Sequence, residues 1–210
     1  KIVVTGNPLR NNIKPVDDKK TDAMNYFDLD PNKKTILLVG GSQGALGINK
    51  GISAQLSLFS DKEYQMIWQT GKFYYETAVN EVKSNGLEDK IKCTVFIDRM
   101  DLAYAAADVV ISRAGAISIS ELSLLGKAVV FVPLPTAAED HQTKNAKRLV
   151  DADAALMVKN DATEKSLLPK VFELLDDEPR QNQLKQNIAR FAKPNAADDI
   201  VNQIEIILNK

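Results

Sequence analysis

Gly40, Gly41, Gly44 and Gly47, in the stretch LVGGSQGALGIN at residues 38–49, have the spacing of an anion-holding turn, with an apolar strand before them and a helix after. Glycines let a backbone bend tightly and come close to a ligand, and the free amides of a helix start donate to phosphate oxygens. Neither standard nucleotide signature is present: G-x-x-x-x-G-K-[ST] lacks its lysine, and the glycines do not fall as G-x-G-x-x-G. Ser42 adds a hydroxyl. Taken alone, the stretch is as compatible with a tight strand-to-helix turn that binds nothing.

Two other polar groupings sit at equivalent places. In SRAGAISISELSLLGKAVVFVP (112–133), Ser118 and Glu121 have the S-x-x-E spacing of a capping box, with Ile119, Leu122 and Leu125 as the core-facing stripe and Glu121 off it. A carboxylate there can also accept two hydrogen bonds from a ribose diol; spacing favours the cap. In PLPTAAEDHQTKNAKRL, the prolines stop a strand, and Asp140, His141, Gln142 and Asn145 gather at a helix start, His141 and Asn145 sharing a face. His141 is the single histidine, so it is the one side chain titrating near neutrality without perturbation. No further histidine or cysteine completes a metal set, and GGSQG is not a nucleophile elbow, so no metal and no hydrolase chemistry is expected.

The elements that must position these groups are legible as punctuation. Short runs rich in valine and isoleucine recur at KIVVTG, TILLVGG, YQMIWQTG, IKCTVFI, DVVISRAG, AVVFVP and AALMVK. Most are followed by a turn and a segment of helical spacing, at 45–59, 72–85, 101–107, 117–126, 140–152, 163–176, 180–192 and 195–208. Runs that are apolar at consecutive positions belong to strands covered on both faces, which predicts an α/β fold: a mostly parallel, Rossmann-like sheet between helices. Residues 1–160 read as the α/β core, with a polar connector over 11–34 carrying a short helix, and 161–210 as a helical tail. In the last helix Ile200, Ile204 and Ile207 share a face that is expected to dock on something apolar. Ligands of such sheets gather at the carboxyl ends of the strands, where all three polar groupings fall.

Composition narrows the function classes. Apolar residues make up 44% of 210, enough for a sizeable core, and a net charge of −1 with no basic tract argues against nucleic acid. No apolar run approaches the roughly 20 residues that span a bilayer. Cys93, the single cysteine, reads as a small buried hydrophobe, and its solitude fits a cytoplasmic address. The first residues begin within an apparent core strand, which suggests a fragment.

Taken in order, GNPLR, GGSQGALGIN, QTGK, VFIDRM, SRAGAISISEL and DHQTKNA resemble the carboxyl-terminal half of the MurG family of bacterial cell-wall glycosyltransferases. The match is close over about 1–160 and loose over the tail. The resemblance implies one half of a two-domain GT-B enzyme that moves N-acetylglucosamine from UDP to a lipid-linked muramyl-pentapeptide, converting lipid I to lipid II with inversion and without a metal or other cofactor. It implies a cytoplasmic protein, peripheral on the membrane when full-length, with UDP-N-acetylglucosamine as partner and the acceptor reached through an amino-terminal domain absent here. Residue by residue, it places the turn of Gly41, Ser42, Gln43 and Gly44 at the donor diphosphate. Backbone groups of Ile97, with Met100 nearby, would meet the uracil, and Glu121 the ribose. Gly115, Ala116, Ile117, Ser118, Ile119 and Ser120 would lie along the diphosphate and sugar. Gln142 with Asp140 and His141 would face the hexose, and Arg10 is a donor contact near the domain junction; His141 is the least secure, and no catalytic residue is assigned to this half. Two other readings stand beside this one: a donor-binding subunit of a two-chain transferase, and a UDP-sugar epimerase domain. The chain alone is expected to bind the donor weakly and to transfer nothing.

Overall fold

The computed structural model describes residues 2–10, 12–14, 19–41 and 43–208. Six strands, β1 (Lys34–Val39), β2 (Tyr64–Gln69), β3 (Ile91–Thr94), β4 (Val109–Ser112), β5 (Ala128–Phe131) and β6 (Leu156–Met157), form one sheet in the order β3-β2-β1-β4-β5-β6. Every pairing is parallel. Chain progress therefore reverses direction between β1 and β4, and the crevice of a doubly wound sheet opens at that switch point, beyond the carboxyl ends of the two strands.

Burial follows from the consecutive apolar runs. In β1, Ile36 and Leu38 enter one core while Leu37 enters the other, and β2 divides Met66 and Trp68 from Ile67 in the same way. Successive side chains alternate faces, so a strand apolar at every position needs cover on both sides. One face is covered by α2 (Leu46–Ser53), α3 (Tyr75–Ser84) and α7 (Thr163–Asp176), through Ile48, Ile52, Val82, Leu168 and Val171. The other is covered by α1 (Lys20–Tyr26), α4 (Met100–Ala106), α5 (Ala116–Leu124) and α6 (His141–Asp151), through Met24, Leu102, Leu122 and Leu149. Each fully buried leucine or isoleucine contributes about 1.5–3 kcal/mol. The helix α8 (Glu178–Ala189) crosses the end of the sheet, giving Leu184 to one core and Ile188 to the other.

Two expectations are corrected. Residues 2–6 form no strand, because no described strand hydrogen-bonds to them; Ile2 is 94% and Val4 82% exposed. The last helix, α9 (Ala196–Leu208), buries only Ala196 among its described residues, and Ile204 and Ile207 stay exposed: the apolar stripe is there, but the described residues do not cover it.

At the start of α4, Asp101 accepts hydrogen bonds from Arg99 (2.9 and 2.8 Å) and from Lys19 Nζ (2.9 Å). The Arg99 hydrogen bonds first, and the Lys19 contact after them, hold its carboxyl well below the usual range, against the opposing pull of burial. A carboxyl lowered by folding contributes its full stabilisation above the unfolded value near 4 and loses it as pH falls below that. Urea midpoints measured from pH 6 to pH 2 should fall steeply below about pH 4 for the native chain and less steeply for Asp101→Asn.

Candidate functional site

Five loops gather at the carboxyl edge of the sheet. The turn after β1 is closed by a hydrogen bond from Gly44 N to Gly41 O (2.9 Å) and enters α2, whose first-turn amides are free for a ligand. Gly41 adopts φ +83° with open space around the missing side chain, so the left-handed backbone alone demands glycine there. Gly44, at φ +77°, is tighter: a Cβ would stand 2.2 Å from Thr70 O. Gly71, at φ +73° in the turn after β2, faces it, with a Cβ position 2.4 Å from Gly44 N. The two glycine turns therefore interlock, which accounts for the QTGK stretch as well as the first one. Ser42 lies outside the described residues.

This turn lines a cavity of about 480 Å³ with Gln43, Arg113, Gln142 and Asn160. Among the described residues, Arg113 is the only charged one in that lining. Its Nη1 donates to Val132 O (3.0 Å), Pro133 O (3.0 Å) and Asn160 Oδ1 (2.8 Å), tying β4 to the exits of β5 and β6. Burial lowers its affinity for the proton, but a guanidinium stays charged across the physiological range. The cation that the glycine turn lacks in sequence is thus supplied from the next strand over. Gln142 accepts the amide of Leu134 on its Oε1 (3.0 Å), which leaves its NH₂ as the group it offers a ligand.

On the other side of the switch point, α5 starts at Gly115 with a second set of free amides. The expected capping box is absent: the N-cap is Gly115, and Ser118 lies inside the helix with no capping hydrogen bond from its side chain. Glu121 is in mid-helix and 5% exposed, so it belongs to the buried face and not off it. Its Oε2 accepts from Tyr104 Oη (2.9 Å) and its Oε1 from Arg10 Nη2 (3.2 Å). These two partners, the buried Tyr104 and the exposed Arg10, replace the cap as the reason for an acid at this position. Asn7 donates to Ser120 Oγ (2.9 Å) and Ser120 donates to Ala116 O (2.9 Å), so the GNPLR segment is clamped along α5 through both Asn7 and Arg10. Ile117 is half exposed at the helix start.

Ser123, also on α5, is fully buried and its hydroxyl has no hydrogen-bond partner among the described residues. An unsatisfied buried hydroxyl costs about 1–3 kcal/mol, so Ser123→Ala should raise the thermal midpoint, by up to about 1 kcal/mol in stability after the lost packing is counted. Calorimetric unfolding checks this, and a lowered midpoint would contradict it.

The remaining expected residues are placed less tightly. Ile97 and Met100 are buried, at 3% and 7% exposure, so their side chains face the core and backbone is what Ile97 can offer. Ile97 also lines a cavity of about 320 Å³ with Tyr26, Phe27 and the half-exposed Phe96, an aromatic neighbour that spacing did not single out. Asp140 lines a neighbouring cavity of about 520 Å³ with Lys147 and Lys159, not the one lined by Gln142. It sits at φ +53° beside Glu139 at φ +51°, two consecutive left-handed residues before α6. His141 is exposed, its Nδ1 2.8 Å from Ala138 O. Asn145 donates to Ala114 O (3.2 Å) and so joins α6 to the turn before α5. Cys93 is half-buried, and burial pushes its thiol up to about 12, which leaves it inert at neutral pH. Among the described residues, no three His, Cys, Asp or Glu side chains are grouped as a metal ion would require, and no helix is long and apolar enough to cross a membrane.

Known proteins are similar over most or all of the chain. A model of the glycosyltransferase family 28 C-terminal domain matches residues 35–202. A UDP-N-acetylglucosamine–N-acetylmuramyl-(pentapeptide) pyrophosphoryl-undecaprenol N-acetylglucosamine transferase of Parabacteroides distasonis is 50% identical over 211 residues, which cover 100% of this chain and 57% of that protein. The protein of the same name from Christiangramia forsetii is 45% identical over 209 residues, covering 100% and 56%. The chain thus spans little more than half the length of these curated relatives. Among solved structures, Acinetobacter baumannii MurG matches with a TM-score of 0.77 at 30% identity, over 92% of this chain and 54% of that one. A Staphylococcus aureus MnaA–UDP co-structure matches with a TM-score of 0.68 at 19% identity over 99% and 55%, a likeness of fold.

Proposed function

This chain belongs to the family of glycosyltransferase family 28 C-terminal domains, and from that premise we propose that it is the UDP-N-acetylglucosamine-binding half of an inverting N-acetylglucosaminyltransferase. The full enzyme would convert lipid I to lipid II in peptidoglycan synthesis at the cytoplasmic face of the membrane. The observation that carries the reading is the pair of helix starts, α2 and α5, flanking the β1–β4 switch point, with Arg113 on one side and the buried Glu121 on the other.

Each group then has a task suited to its chemistry. The amides after Gly44 and after Gly115 donate to the diphosphate, and because they are fixed by folding they stabilise the charge that grows on it as the glycosidic bond breaks. Arg113 supplies a positive charge beside them. Glu121 accepts hydrogen bonds from the ribose hydroxyls, backbone at Ile97 meets the uracil edge, and the Gln142 NH₂ donates to a hexose hydroxyl. No general base is assigned to this half; that group and the acceptor contacts belong to the domain that completes the relatives' length. No metal or other cofactor is needed in this scheme, since amides and a guanidinium do the work of a divalent ion on the leaving group.

Isothermal titration with UDP and UDP-N-acetylglucosamine tests the proposal. Both should bind this chain, and a transfer assay with a lipid-linked muramyl-pentapeptide should show turnover only when an amino-terminal domain is supplied. Turnover by this chain alone, or formation of an epimer from UDP-N-acetylglucosamine, would overturn it.

A further inference from the structure

Tyr104 lies inside α4, 3% exposed, and its ring is part of the core beneath α5. Among the described residues, its hydroxyl is one of two side-chain groups that hydrogen-bond to the Glu121 carboxylate, and the two differ in kind. The Tyr104 hydrogen bond to Oε2 (2.9 Å) comes from a buried ring with one available geometry. The Arg10 contact to Oε1 (3.2 Å) comes from a side chain 58% exposed, on a flexible stem that water can solvate at little cost. A carboxylate with one permanent and one exchangeable partner is suited to trade the second for a ligand. We propose that Tyr104 is a positioning residue for nucleotide recognition: its hydroxyl holds the inner oxygen of Glu121, so that the outer oxygen stays aimed at the cleft, where ribose hydroxyls replace Arg10.

The inference rests on the reading that Glu121 meets the ribose. Burial, with the negative charge of Glu121 beside it, raises the phenol well above its ordinary range, so at neutral pH Tyr104 is a hydrogen-bond donor to the carboxylate. Without that donor the carboxylate is free to turn about its last torsion and offer both oxygens to the Arg10 guanidinium, whose fork geometry matches a carboxylate. The ribose then competes with a two-point ion pair instead of a single contact.

Tyr104→Phe keeps the ring and its packing, so the fold survives the change. Calorimetric titration with UDP and with 2′,3′-dideoxy-UDP reads the effect. The native chain should prefer UDP; Tyr104→Phe should weaken UDP by about tenfold, in line with loss of a hydrogen bond to a charged group, while leaving dideoxy-UDP unchanged. In a Glu121→Ala background the same change should have no further effect. An equal loss for both nucleotides, or no loss for either, would overturn the role of Tyr104. If the native chain binds UDP but does not discriminate against dideoxy-UDP, the assignment of Glu121 to the ribose fails instead and the inference falls with it.

Discussion

Gly44→Ala should cost the chain about 2–4 kcal/mol of stability and abolish measurable UDP binding. Two terms add. A non-glycine residue at φ +77° carries roughly 1 kcal/mol of backbone strain, and the new methyl would lie 2.2 Å from Thr70 O, a backbone atom that no rotamer change can move. Relief requires the two glycine turns to part, at a cost typical of overpacking, about 1–3 kcal/mol, and parting them displaces the amides that open α2. Gly71→Ala meets the same interlock from the other side, with its methyl 2.4 Å from Gly44 N. The double variant should therefore be less destabilised than the sum of the single ones. Urea unfolding with titration of UDP into each variant measures both quantities; a Gly44→Ala chain of native stability would show that the turns are not locked together.

Arg113→Ala should come second, lowering stability by about 3 kcal/mol and UDP affinity by at least tenfold. Removing one guanidinium leaves Val132 O, Pro133 O and Asn160 Oδ1 without their charged donor, and hydrogen bonds to charged groups contribute about 1.5–3 kcal/mol each. Water recovers part of that, because the side chain is only partly buried. Arg113→Lys should rescue little, since an ammonium is a compact point charge and cannot reproduce the planar fork. Unfolding by urea and UDP titration again separate the two effects: affinity lost without stability would mean that the arginine serves the ligand alone.

Much of the fold was legible because β4, β5 and the middles of β1 and β2 are apolar at consecutive positions, as strands covered on both faces are. Helix starts fell within three residues of expectation, but the helix expected over 45–59 ends at Ser53 and gives way to a 3-10 turn at Leu56–Phe59. Strand order was not legible: the pairing of β1 with β4 joins residues far apart in the chain, and no local pattern encodes it. Ile2, Val3 and Val4 show the limit of composition, since β-branched residues make a strand only where a neighbour completes the ladder. The glycine turn announced itself through spacing, but Arg113 and Tyr104 did not. Each is a lone residue in an apolar or alanine-rich run, and each acts through partners 17 to 47 residues away. The local reason that spacing offered for Glu121 was the wrong one. Its S-x-x-E spacing suggested a cap, whereas its acid is retained by two partners, Tyr104 and Arg10, that sequence spacing does not reveal.

The close approach of α2 to the 160–163 turn has a consequence for how the molecule opens. A Cβ at Gly51 would lie 2.5 Å from Thr163 Cβ, one at Gly47 would lie 2.4 Å from Asn160 Oδ1, and Thr163 Oγ1 donates to Gly47 O (2.9 Å). Gln55, behind them, accepts the amide of Leu168 in α7 (3.1 Å). The helix that follows the glycine turn is therefore bolted to the first helix of the tail, and neither can fray without the other. Amide hydrogen exchange in α2 and α7 should report one shared opening free energy, and a bound diphosphate should slow exchange in both. The carboxyl-terminal helices, far in sequence from any phosphate contact, would thereby register whether the donor is present.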